Sequence, residues 1–75
     1  MSMVHREAFI NKIRELGYTY KSQQKRTQLY RKKGGTHRVF MPLADLLEDD
    51  FVKCSLRQAG LAPKDIESFL ACAKS

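Results

Sequence analysis

The chain has 75 residues, a formal net charge of +6 at pH 7 and 43% hydrophobic residues. That is one small domain with a thin core, apolar enough to fold and too short to enclose a large internal active site. No apolar run approaches the ~20 residues of a membrane-spanning helix, and the opening MSMVHREAF carries no apolar signal-peptide core, so a cytoplasmic protein with no membrane association is expected.

The first predicted element is a helix over Arg6–Leu16, because Phe9, Ile13 and Leu16 recur at helical spacing with Ile10 beside them. Gly17 stands where a residue in the left-handed conformation would end that helix. The period then changes to two. Tyr18, Tyr20 and Ser22 alternate with Thr19 and Lys21 in a first strand, and a polar break follows at Gln23–Arg26. Thr27–Lys32 makes a second strand, and Gly34-Gly35 supplies the positive φ angles of a tight hairpin turn. His37–Met41 makes a third strand, ended by Pro42, with Val39 and Met41 on one face and Phe40 on the other. The acids Glu48-Asp49-Asp50 open a second helix, with Asp49 or Asp50 as its N-cap, and Gly60 closes it. Pro63 suits the first turn of a final helix striped by Ile66, Phe69, Leu70 and Ala73. The expected fold is α+β, a single domain over residues 1–75 in the order α-β-β-β-α-α. Its three-stranded antiparallel sheet packs on the helices.

Little in this chain reads as a metal or cofactor site. Cys54 and Cys72 belong to no CxxC or Cys/His cluster and are expected as small buried or half-buried thiols on helices. His5 and His37 are isolated, and Asp49-Asp50 has no second set of ligands, so no metal and no cofactor is expected. Charge is more informative. Residues 1–17 hold three bases against two acids, residues 43–75 four against six, and residues 18–42 seven against none. A basic excess gathered in one third of the chain is the electrostatic footprint of a nucleic-acid binder. Lys21, Lys25, Arg26, Arg31, Lys32, Lys33 and Arg38 are the candidate phosphate contacts. Gln23, Gln24, Thr27 and Gln28 are candidates for sugar or phosphate, and His37 stands beside them. Tyr20 and Tyr30 suit either core packing or stacking on an unpaired base.

Several short motifs carry a resemblance. A helix ending in LGY (Leu16–Tyr18), a basic strand pair, a glycine-bearing turn, a strand ending in VFMP (Val39–Pro42) and then SLRQAGL (Ser55–Leu61) resemble the HicA family of small bacterial toxins, over about residues 6–61. The resemblance implies a double-stranded-RNA-binding-domain-like α-β-β-β-α core and a metal-independent mRNA interferase silenced by an antitoxin. It also implies a Gly-Ser-His motif at the start of the second strand, whose histidine is catalytic. With Tyr30 set on the aromatic of that strand, the three positions hold Lys25, Arg26 and Thr27. A threonine hydroxyl does no acid–base work near pH 7. His37 is a poor replacement: pairing with Arg31 would put it about 13 Å along the sheet from Thr27, at ~3.3 Å per residue. No second acid or base stands beside it, and His5 is a lesser candidate still.

The expected function is therefore RNA binding by a HicA-like protein that has lost its histidine-dependent cleavage. Three alternatives stand beside it. One is an active, divergent endoribonuclease toxin using His37. Another is an acidic antitoxin-like protein partner on the same basic surface. The third is a helix-turn-helix DNA binder built from DFVKCSLRQAGLAPKDIESFL, although its second helix, around Lys64–Phe69, is not basic.

Overall fold

The computed structural model describes residues 3–73. The elements run β1 (Met3–His5), α1 (Arg6–Glu15), β2 (Tyr18–Gln24), β3 (Thr27–Lys32), β4 (Arg38–Pro42), β5 (Leu46–Glu48), α2 (Asp49–Gln58) and α3 (Pro63–Ala73). Strands β2, β3 and β4 form an antiparallel meander in that order, while β1 pairs with β5 in a separate two-stranded ribbon. The architecture is α+β, as expected, with that ribbon added to the expected elements.

The helices form where the apolar stripes lie. Phe9 and Ile13 are the buried residues of α1, and Val52 and Leu56 those of α2 alongside Ser55. Ile66, Leu70 and Ala73 do the same in α3. Both predicted glycine stops hold. Gly17 and Gly60 each have φ of 98°, a conformation that costs an L-residue ~1–2 kcal/mol and glycine nothing comparable. At the end of α2 the Gly60 N–H donates to the Arg57 carbonyl and the Leu61 N–H to the Leu56 carbonyl, both at 3.0 Å. These two bonds satisfy carbonyls that the helix end would otherwise leave open. The start of α2 differs from expectation. Its N-cap is Glu48, in extended conformation and with no side-chain cap bond, and Asp49 and Asp50 lie inside the first turn. There they act on the helix dipole rather than as caps.

The buried residues of all three helices join those of one face of the meander and of the ribbon in a single core. Val4, Phe9, Met41, Val52 and Leu56 are fully buried, with Tyr18, Tyr30, Val39 and Leu47 joining the same cluster. Phe51 meets Phe9 edge to face with centroids 5.8 Å apart. Burying each such side chain stabilises the fold by ~1.5–3 kcal/mol, most of it offset by the entropy of ordering the chain. The stripes leave the outer sides of α2 and α3 in solvent, and Cys54 and Cys72 lie there, both exposed rather than buried or half-buried as expected.

The ribbon ties the start of the chain to the end of the meander. Val4 sits opposite Leu47, and the Arg6 N–H donates to the Asp45 carbonyl at 2.9 Å. The Arg6 guanidinium donates through Nε to the Pro42 carbonyl at 2.9 Å and also bonds the Gln28 side-chain oxygen. His5 is the last residue of β1, opposite Leu46. Two further boundaries move. Strand β2 continues to Gln24, so the expected four-residue break is a two-residue turn at Lys25-Arg26, with Lys25 left-handed at φ 55°. Strand β4 starts at Arg38, which pairs with Arg31, and His37 lies outside the ladder. Among the described residues no helix is long and apolar enough to cross a membrane.

Candidate nucleic-acid interface

Directly opposed residues of neighbouring strands share a face of the sheet. Tyr30, Val39 and Met41 point to the helices, and the other face is bare. Three rows cross it from β2 through β3 to β4: Thr19–Arg31–Arg38, Ser22–Leu29–Phe40 and Gln24–Thr27–Pro42. None of these nine residues is buried. A register shift between Tyr20 and Ser22 sets the rows, because an extra residue at Lys21 brings Ser22, not Lys21, opposite Leu29.

The first row is cationic. Arg31 and Arg38 stand opposite each other, both exposed, on a meander with no Asp or Glu from residue 18 to 42. Among the described residues the one ion pair joins Lys12 and Glu15, at 3.7 Å, away from this face. Like charges directly opposed in a sheet are destabilising, so the pair has a cost that the fold alone does not call for. The second row is apolar. Phe40 is 57% exposed between Val39 and Met41, which are 2% and 0% exposed. Its ring and Leu29 line an open depression of about 730 Å³ with Ser22, Gln24, Lys25 and Thr27 around it.

The sequence-predicted contacts divide between the faces. Thr27, Arg31 and Arg38 lie on the bare face, and Lys25 reaches its rim from the turn. Arg26 completes that turn, and its carbonyl accepts from the Leu43 N–H at 3.2 Å. Lys21 sits at the bulge of edge strand β2, and Lys33 lies in the turn before Gly34. Lys32 pairs with Tyr18, and its aliphatic stem runs beside Gly17. Gln28 is already engaged: it accepts from Arg6 and donates to the Gln23 side chain at 3.2 Å. Tyr30 is buried and Tyr20 is 49% exposed beside it, their rings edge to face at 5.9 Å.

His37 is not the expected strand residue opposite Arg31. Its Nδ1 is 2.6 Å from the Tyr18 hydroxyl, and the two rings meet edge to face at 5.6 Å. Burial pushes the Tyr18 hydroxyl above its ordinary pKa of 10.0, so near neutral pH it keeps its proton. That proton can be donated to Nδ1 of a neutral imidazole. Tyr18 is a core residue, so this contact holds His37 to the helix-bearing side of the sheet, whereas Thr27 is on the bare side. The two candidate catalytic positions do not come together.

Sequence reasoning passed over Phe40, Leu29 and Ser22 as site residues. One signal was available, a large aromatic at an outward position between two inward ones.

Together these features define a two-layer α+β domain with one bare, cationic, aromatic-bearing sheet face. Comparison with family models, curated proteins and solved structures gives no match for the chain.

Proposed function

We propose that the protein is a small RNA-binding domain of the HicA-like type, with a fold related to the double-stranded-RNA-binding domain and without the family's histidine-dependent cleavage. The observation that carries this is the acid-free bare face, on which Arg31 and Arg38 oppose each other and Lys25 stands at the rim. Two adjacent guanidinium groups held at an electrostatic cost suit an anionic ligand, and the RNA backbone is one they can grip bidentately.

Local geometry supports the loss of cleavage. The turn at Lys25-Arg26, with Thr27 first in β3, fits the alignment that puts these residues on the Gly-Ser-His motif. The left-handed Lys25 occupies a conformation at which glycine is at home. Thr27 offers no titrating group, and His37 is bonded to Tyr18 on the other side of the sheet. An active enzyme would need a different acid–base group. DNA binding through α2 and α3 is the weaker reading, because the exposed charges of α3 are Lys64 against Asp65 and Glu67.

The test is a titration with duplex RNA, duplex DNA and single-stranded RNA at two salt concentrations, with the RNA checked for cleavage. RNA should bind and stay intact. The affinity should fall with a log–log salt slope of about −2 to −3, for three phosphate contacts at ~0.7–0.9 each. Cleavage would restore the endoribonuclease reading. Failure to bind any of the three would favour an acidic protein as the partner of this face.

A further inference from the structure

We propose that the bare face of the sheet takes an unpaired nucleotide of single-stranded RNA. The base stacks on Phe40 over Leu29, and Arg31 and Arg38 hold the adjacent phosphate. The proposal rests on the RNA-binding reading above and names the form of RNA. The alternation of β4 leaves a flat aromatic ring in solvent, 57% exposed, where the two neighbouring positions are core. A phosphate contact has no use for such a ring, and a base pair in a duplex hides its faces in the stack. An unpaired base offers a free π-face, and stacking on an aromatic side chain tolerates any base. The surroundings fit the rest of the nucleotide. Ser22, Gln24 and Thr27 line the same depression as Phe40, with side chains that donate and accept hydrogen bonds to a base edge or a 2′-hydroxyl. The Arg31–Arg38 row lies two residues further along β3 and β4, about 7 Å away. That is within reach of long arginine side chains for a phosphate flanking a base on Phe40. No carboxylate from residues 18–42 opposes the anion.

Fluorescence anisotropy with a labelled oligouridine, an oligoadenylate and a blunt RNA duplex of equal length tests this on the whole chain. Both single strands should bind more tightly than the duplex. Phe40→Ala should weaken single-strand binding roughly five- to hundredfold, the range of one lost base stack. Phe40→Trp should restore it, and duplex binding should not respond to either change. Far-UV circular dichroism of Phe40→Ala reports whether the fold survives, and the Trp variant carries the test if it does not. Single-strand binding that is unchanged in Phe40→Ala, or a duplex bound as tightly as the single strands, overturns the stacking site and leaves RNA binding standing. Absence of binding to all three RNAs overturns the RNA reading itself.

Discussion

Arg31 and Arg38 face each other across the β3–β4 ladder with no carboxylate on their meander, and replacing Arg38 with Gln isolates what that opposition costs. Opposed residues have Cβ atoms about 5 Å apart, so two splayed guanidinium groups sit at roughly 7 Å. In a water-like dielectric their repulsion there is about 0.6 kcal/mol. Both side chains are exposed, so the larger values that hold in a protein interior do not apply. Arg38→Gln should therefore raise Tm by about 2–5 °C in a domain of this size. The gain should be present at about 10 mM salt and shrink towards zero at about 1 M, where the Debye length is ~3 Å. The same variant should bind RNA less tightly and lower the magnitude of the salt slope by ~0.7–0.9. Thermal melts by circular dichroism at both salts, with RNA titrations in parallel, read the two effects. A variant that melts lower than the wild type at low salt would show that the guanidinium stabilises this face, for instance by packing on Phe40. An unchanged salt slope would remove Arg38 from the phosphate contacts.

Gly60→Ala tests the end of α2: an added Cβ meets nothing within 4 Å, so the loss of ~1–2 kcal/mol in urea unfolding comes from the left-handed backbone alone. A neutral substitution would contradict the φ of 98°. Tyr18→Phe tests the buried hydroxyl. Its raised pKa means the folded state favours the protonated form, so its contribution to stability is full below pH ~10 and is lost as pH rises beyond that. The stability difference between wild type and Tyr18→Phe should narrow across that alkaline window in urea titrations, and a constant difference would refute the assignment. Cys54 and Cys72 should both react with a chromogenic thiol reagent in native buffer, and fewer than two reactive thiols would contradict their exposure.

Residue spacing made the helices and the β4 alternation legible, because Phe9, Ile13, Val39 and Met41 are buried through local periodicity. The two-stranded ribbon was not legible. Three residues are too few to show a period, and Val4 finds Leu47 only through the fold. The turn at Lys25-Arg26 was blurred into a longer break because no glycine or asparagine marks its left-handed residue. The basic candidates cluster in sequence, but the sequence does not sort them by face. The bulge at Lys21 rephases β2, so strict alternation gives the wrong partners beyond Tyr20. The Tyr18–His37 contact joins β2 to the segment that leads into β4, two parts of the chain that no local pattern brings together.

The β1–β5 ribbon bears on the order in which the protein assembles. The meander and the α2–α3 pair close over short stretches of chain, whereas joining Val4 to Leu47 must close a loop of about forty residues, at the largest entropic penalty of any strand pairing in the fold. Of the strand pairings the ribbon is therefore the one expected to form last and to open first, with the meander still folded. Native-state hydrogen exchange should find the Arg6 amide, bonded to Asp45, exchanging through a smaller opening than the amides at the centre of β3.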